Sequence, residues 1–156
     1  MRRAILLLAV GVTVLALVVG AALATPPSGA TTTLITRATL GKFEAENKGI
    51  ELESNRASAD IAIVKVVIEP GGSTGWHHHP GVGPASVKSG AVTFYDAQCH
   101  KTVYKAGEGF LESHDEPMLV RNQGSVKAVF YVTFIVPTET TELRFDDPKP
   151  KGCNVT

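Results

Sequence analysis

The stretch Ile61-Ala62-Ile63-Val64-Lys65-Val66-Val67-Ile68 decides the fold class of this 156-residue chain. It is rich in β-branched residues, and the turn signal Pro70-Gly71-Gly72 follows it closely. β-Branched side chains favour an extended backbone, and proline and glycine interrupt it. The stretch therefore predicts a β-strand.

Further short runs of the same character follow along the chain, most of them next to glycine or proline. They lie at residues 91–95, 103–104, 110–111, 118–120 and 126–136, and Pro137 ends the last run. Short strands spaced by about ten residues predict an antiparallel sandwich or barrel. The helical signal is weak and amounts to a turn within residues 41–53. The chain is expected to be all-β.

The N-terminus has the pattern of an export signal. Arg2 and Arg3 precede an uncharged, mostly apolar stretch over residues 4–23, and Ala22-Leu23-Ala24 supplies a small-x-small cleavage site. Residues 1–24 are therefore predicted to be a signal peptide. An uncleaved membrane anchor is the alternative, because twenty apolar residues also suffice to span a bilayer. Both predict a secreted or otherwise extracytoplasmic domain, of bacterial type.

The rest of the chain divides into a linker, one domain and a tail. Residues 25–33 are rich in proline, glycine and threonine and predict a linker, residues 34–137 the β-domain, and residues 138–156 a polar C-terminal tail. An even cysteine count in an oxidising compartment makes a Cys99–Cys153 disulfide the default, with two free thiols as the alternative. This bridge would tether the tail.

The charge balance excludes two classes of partner. The chain has 15 basic and 15 acidic residues, and removal of the signal takes two arginines and no acid, which leaves 13 and 15. A dispersed and nearly balanced charge offers no footprint for nucleic acid or for an anionic lipid surface. The membrane would be a partner only through an uncleaved N-terminal segment.

The segment from Gly71 to Gly81 contains the one convincing chemical pattern, the triplet His77-His78-His79. Because side chains alternate across a strand, His77 and His79 are predicted to share one face and His78 to lie on the other. Two imidazoles on one face can converge on a metal ion. Alternatively, the three histidines occupy a surface turn and serve only packing or hydrogen bonding.

This pattern resembles the cupin superfamily. Gly71-Gly72 through His77-His78-His79 to Gly90 is similar to the first cupin motif, and Gly107-Glu108-Gly109 through Arg121-Asn122 is similar to the second. The resemblance covers roughly residues 60–137. It implies an antiparallel jelly-roll β-barrel of six to ten strands, with His77 and His79 facing its interior. It also suggests a homodimer whose barrels pair edge to edge.

The ligand set departs from the family pattern. The glutamate that usually follows the histidine pair is replaced by Gly83 or Pro84, and the third family histidine corresponds to Met118. A thioether is a poor ligand for the metals that cupins favour. His114, Glu112 or Glu116 could complete the site from the neighbouring turn. The predicted metal ligands are His77, His79 and His114, and an exposed loop position without a ligand role is the alternative for His114.

Trp76 and Met118 are predicted at the pocket, although core packing is the simpler role for a lone tryptophan. Three functions remain open at this point. The first is an exported barrel that binds a small molecule, a divalent ion (iron, manganese, zinc or copper), or both, with a degenerate metal site. The second is a metal-dependent oxygenase or isomerase, and the third is a structural envelope protein without a site. The fold alone does not choose among them.

Overall fold

The structure is a computed structural model that describes residues 24–54, 58–112 and 115–155. Within these ranges the chain forms twelve β-strands and no helix. The strands are β1 Ser28–Gly41, β2 Glu44–Asn47, β3 Ile50–Glu53, β4 Ala59–Ser73, β5 His77–His78, β6 Gly83–Ser89, β7 Ala91–Tyr95, β8 Lys101–Lys105, β9 Gly109–Glu112, β10 Leu119–Arg121, β11 Ala128–Pro137 and β12 Phe145–Asp146.

The strand predicted from residues 61–68 is the centre of the barrel. It lies within β4, which pairs antiparallel with β11 along one edge and with β1 along the other. The main sheet has eight strands, in the order β8-β7-β10-β4-β11-β6-β9 with β1 added beside β4. The sheet curls into a nearly closed antiparallel barrel, as expected. The described part of the chain has no helix long and apolar enough to cross a membrane.

The barrel interior follows from the alternation of side chains on β4 and β11. Ala62, Val64, Val66 and Ile68 are buried, whereas the residues between them are half-buried. On β11 every second residue from Ala128 to Val136 is likewise buried. A strand presents alternate side chains to opposite faces, so one face of each strand builds the core. A second, smaller cluster contains Trp76, Tyr95, Leu119 and Cys153.

Two segments differ from the sequence expectations. Residues 25–33, predicted as a linker, contribute Ser28–Thr33 to β1, because their β-branched threonines extend easily and the backbone pairs with β4. Residues 41–53, where at most a helical turn was expected, contain the β2–β3 hairpin around a turn at Lys48 and Gly49, both with positive φ. The predicted signal segment lies outside the described residues, apart from Ala24.

The C-terminal tail returns to the barrel. The predicted Cys99–Cys153 disulfide is confirmed, and it joins the tail to the loop between β7 and β8. Ahead of it, β12 pairs with β5, with Phe145 opposite His78 and Asp146 opposite His77. We call residues 143–148 the C-terminal strap. The tail is therefore tethered as expected, and it also forms a strand against the histidine segment.

Candidate functional site

The histidine triplet divides between the two faces of β5 as alternation predicts. His77 and His79 are buried, at 3% and 5% exposure, and their ring centroids lie 4.8 Å apart. His78 faces outward, where its Nδ1 lies 2.8 Å from Asp147 Oδ2 and its ring stacks on Phe145. The two inner imidazoles therefore form a pair at the wall of the barrel interior.

His77 is held by its own loop. Gly75 adopts a φ of +70°, which a residue with a Cβ rarely adopts, and its carbonyl oxygen lies 2.8 Å from His77 Nδ1. Since a carbonyl can only accept, Nδ1 carries the proton. Burial lowers the pKa of His77 well below its ordinary value of 6.5, and the charges of Arg144 and His79 lower it further. The ring is therefore neutral near pH 7, and its Nε2 has a free lone pair.

His79 is held by the C-terminal strap. Its Nδ1 donates to the carbonyl oxygen of Leu143, and its ring packs on Phe134 with centroids 4.4 Å apart. Its Nε2 lies 3.2 Å from Glu112 Oε2. This contact does not have the geometry of a hydrogen bond, so the buried Nε2 of His79 has no hydrogen-bond partner among the described residues. A lone pair and a carboxylate this close repel each other, and a cation between them would relieve this repulsion.

Glu112 is a buried acid at the end of β9. Its side chain is 3% exposed, and in the strand register it lies opposite Gly83. Position 83 is one of the two where the cupin pattern would have a glutamate. It has no room for a side chain, because a Cβ there would lie 2.6 Å from Phe134 Cε1. The carboxylate near the histidine pair thus comes from the neighbouring strand. A buried carboxylate is costly unless it is paired, which makes this placement unusual outside a site.

These groups face a cavity of about 290 Å³. Arg144 also lines it, with its guanidinium donating to the Thr74 carbonyl at 2.7 Å and to Asp146 Oδ1. The remaining wall is mostly apolar and comes from β1, β4, β11 and the strap: Thr32, Leu34, Val64, Val66, Phe130, Val132, Phe134 and Leu143. Thr32 and Leu34 are exposed, so the cavity reaches the surface at β1. It combines one polar end with an apolar body, which is typical of a small-molecule site.

The predicted site residues have different outcomes. The structure brings His77 and His79 together at the cavity, whereas His114 lies outside the described residues. Trp76 and Met118 do not line the cavity. Trp76 is fully buried in the second cluster, and its Nε1 donates to the Val155 carbonyl. Met118 is also buried, and its backbone pairs with that of His77.

Other predicted residues have local structural roles. Asn122, from the second motif, is fully buried and donates to the carbonyls of Ile68 and Val126. Glu116 is exposed, so of the two acids proposed as replacement ligands only Glu112 reaches the histidines. The pattern Phe110-x-Glu112 contains a signal for this, since alternation places both residues on one face.

The carboxylate of Glu112 and the two imidazoles are ligand types that bind divalent zinc, iron, manganese or copper. The arrangement is less complete. In the ranges that the structure describes, no group of three or more His, Cys, Asp or Glu side chains could hold a metal ion as placed. The geometry defines a nearly closed antiparallel barrel with a buried histidine pair and a buried acid at a mostly apolar cavity.

Solved structures similar to part of the chain include an uncharacterized conserved protein with a double-stranded β-helix domain from Klebsiella pneumoniae. It is 21% identical, with a TM-score of 0.49, over 55% of this chain and 73% of that chain. An oxalate oxidase is 23% identical, with a TM-score of 0.45, over 50% of this chain and 46% of that one. A predicted oxalate decarboxylase from Thermotoga maritima is 20% identical, with a TM-score of 0.43, over 51% of this chain and 81% of that one.

These structures are double-stranded β-helix or cupin proteins. No family model matches the chain, and no curated protein matches it. The likenesses concern the arrangement of strands over about half of the chain and assign no activity to it.

Proposed function

We propose that this chain is an exported barrel that binds a small molecule in the cavity beside His77 and His79. The observation that carries the proposal is the cavity itself, whose polar end is formed by two imidazoles and Glu112 and whose body is apolar. A barrel sealed by its own side chains, as in a purely structural protein, would have no reason to bury two imidazoles and a carboxylate beside an open cavity.

The polar end accepts hydrogen bonds more readily than it donates them. His77 Nε2 and His79 Nε2 each carry a lone pair, because the proton of each ring is on Nδ1, and the Glu112 carboxylate accepts as well. We therefore expect the ligand to present a donor, such as a hydroxyl or an ammonium group, to this end. A ligand with an anionic end would need a metal ion to mediate the contact, because the guanidinium of Arg144, which also lines the cavity, is already paired with Asp146 and the Thr74 carbonyl.

Metal-dependent chemistry of the oxygenase or isomerase type is the second candidate function. The buried Nε2 of His79, which has no hydrogen-bond partner among the described residues, favours it. A bound divalent ion would act as a Lewis acid toward a substrate oxygen. His77 and His79 would hold it with the help of Glu112, while the apolar wall would exclude water from the substrate.

One titration tests whether the polar end of the cavity is rich in acceptors. Hexylamine, hexanol and hexanoate share an alkyl chain and differ in charge and donor capacity. We expect saturable shifts of the methyl resonances of Val64 and Val132 with hexylamine and hexanol in metal-free protein, and with hexanoate only after Zn²⁺ is added. Binding of hexanoate under both conditions would overturn the assignment of an acceptor-rich polar end.

The matched control closes the cavity from outside. Thr32 is exposed on β1 and lines the cavity, so Thr32→Trp is expected to cover its opening without touching the core. All three probes should lose affinity while the melting temperature stays unchanged. If no probe gives a saturable shift in the unmodified protein, with or without Zn²⁺, the proposed function is wrong.

A double variant tests whether a metal belongs to the site. Elemental analysis of untagged protein from its native compartment should find a divalent metal near one equivalent if the second candidate is correct. His77→Ala with His79→Ala should then remove it. Absence of metal from the unmodified protein, together with binding of hexanol, would leave the metal-free binder as the function.

Export is part of the proposal. Arg2, Arg3 and the apolar residues 4–23 supply the signal pattern, and the Cys99–Cys153 disulfide is consistent with an oxidising compartment. Intact-mass analysis of protein from a host with an export pathway should give a chain that begins at Thr25. An uncleaved chain recovered from the membrane fraction would identify an anchor instead, and a full-length chain in the cytosol would overturn export.

A further inference from the structure

The two inner histidines are oriented from different parts of the chain. His77 donates to Gly75, two residues earlier in the same loop. His79 donates to Leu143, which lies 64 residues later, in the C-terminal strap. One ring is therefore oriented locally, and the other depends on how the tail is docked.

We propose that the C-terminal strap is a positioning element of the site, whose Leu143 carbonyl fixes the proton of His79 on Nδ1 and so presents the bare Nε2 to Glu112 and the cavity. This inference rests on the proposed function for its consequence in binding. The tautomer itself is a property of the protein without ligand.

The physical reason is that either ring nitrogen of a neutral histidine can carry the single proton. A neutral imidazole carries one proton, and the hydrogen bond at one nitrogen decides which nitrogen is left to accept or to ligate. With the Leu143 carbonyl removed, the proton of His79 can move to Nε2, where the Glu112 carboxylate at 3.2 Å is a ready acceptor. His79 would then donate to Glu112 and would no longer offer a lone pair to the cavity.

The strap is fastened on the outer face of β5. Phe145 stacks on His78, and the Asp147 carboxylate accepts from His78 Nδ1. The backbone N–H of Asp147 donates to the Trp76 carbonyl at 2.9 Å. Beyond the strap, Cys153 anchors the tail through its disulfide with Cys99. These contacts lie outside the cavity, so they can be weakened without changing a group that lines it.

The test uses Phe145→Gly with Asp147→Gly, which removes both side-chain contacts to His78 and loosens the backbone of β12 while the disulfide stays intact. Lys149→Gly with Lys151→Gly is the matched control, because it makes the same substitution at exposed positions just beyond the strap. Long-range ¹H–¹⁵N correlation spectra of metal-free, ¹⁵N-labelled protein above pH 7 report the tautomer of each ring.

In the unmodified protein and in the control, His77 and His79 should both carry their proton on Nδ1. In the strap variant the Nδ1-protonated population of His79 should fall, and that of His77 should not change. His77 is thus an internal reference against general loosening of the fold. An unchanged His79 would overturn the inference, and so would equal changes in both rings or a His79 protonated on Nε2 in the unmodified protein.

A second variant and a second measurement keep the two proposals separable. Cys99→Ala with Cys153→Ala frees the tail at its other anchor and should also lower the Nδ1 population of His79. Co²⁺ titration followed by its visible absorption should show weaker binding in both strap-loosening variants, by roughly 10–100-fold, as for other changes in the groups that orient a ligand. If the unmodified protein binds neither Co²⁺ nor the hexyl probes, the proposed function fails, while the tautomer result still decides the role of the strap.

Discussion

The barrel interior beside the β4–β11 strand pair is filled with side chains at one part of its length and contains the cavity at another. Around Ile68 and Ala128, which face each other in the register, the interior is closed by packed side chains. Around Val64 and Val132 the same two strands line the cavity. The backbone and the alternation are the same in both parts, so the difference comes from the side chains that the neighbouring strands supply.

Aromatic residues close the filled part. Phe110 lies 5.1–5.6 Å, centroid to centroid, from the rings of Phe94, Tyr104 and Phe130. At the open part, the neighbouring elements instead supply His77, His79 and Glu112 together with the strap. Buried polar groups need hydrogen-bond or charged partners, so apolar rings cannot simply fill the space around them. The comparison indicates that the barrel gives up core packing at the site.

The largest expected effect is at the filled part. Phe110→Ala should lower the free energy of unfolding by about 3–5 kcal/mol, because it removes a ring that other rings surround. Phe134→Ala should cost about 1 kcal/mol less, because one side of Phe134 already borders the cavity and has fewer contacts to lose. Urea denaturation of both variants measures the difference. Equal costs would mean that the two parts are packed alike.

The next effect is at the site itself. Gly83→Ala should lower the free energy of unfolding by about 1–3 kcal/mol through overpacking, because its Cβ would press on Phe134 and on Val132 Cγ1. Since Phe134 packs on His79, hexanol binding should weaken as well. Gly124→Ala, whose Cβ would meet only Asn122 Oδ1, at 3.3 Å, is a control expected to leave binding unchanged. A fully stable Gly83→Ala protein with normal binding would contradict this reading of position 83.

Much of the fold was predictable because alternation and turn residues are local signals. The prediction at residues 61–68 locates the central strand, and the run at 126–136 locates its main partner. β1 was missed because threonine, proline and glycine also fit a linker, and only pairing with β4 distinguishes the two. β6 was missed because Gly83, Pro84 and Lys88 hide the alternation of Ala85 and Val87.

The site was predictable only where its residues are adjacent in sequence. His77 and His79 follow from their spacing. Glu112 was one of three candidates, with Glu116 and His114. Alternation in Phe110-x-Glu112 places it on the inward face, but the sequence does not show which strand lies beside the histidines. Leu143 and Arg144 carry no signal, because their place depends on how the tail returns across β5.

The cavity should make stability depend on pH near neutrality. The pKa of His77 lies well below 6.5 in the folded protein, first because of burial and then because of Arg144 and His79. The unfolded chain therefore binds a proton at a pH where the folded one does not. The stabilisation is fully present above about pH 6.5 and is lost as the pH falls toward the folded pKa, by at most about 1.4 kcal/mol per pH unit.

Urea denaturation of metal-free protein at several values between about pH 7.5 and about pH 5.5 measures how the free energy of unfolding changes with pH. His77→Gln should flatten this dependence, since glutamine does not titrate. His78→Gln is the comparison, because His78 lies on the outer face and is half-exposed. A slope that persists in His77→Gln and disappears in His78→Gln would place the titrating group outside the cavity.

The smallest expected effect gives the baseline for the other histidines. His100 is 79% exposed, and its Nδ1 lies 3.1 Å from Asp96 Oδ2. Exposed ion pairs are screened by water, so His100→Ala should change the free energy of unfolding by less than about 0.5 kcal/mol. Binding of the hexyl probes should be unaffected, because His100 belongs to the loop beside Cys99 and does not line the cavity. His100→Ala could weaken binding as much as Gly83→Ala only through the disulfide that joins the neighbouring Cys99 to the tail. Such a result would mean that the strap is held more loosely than its contacts to β5 indicate.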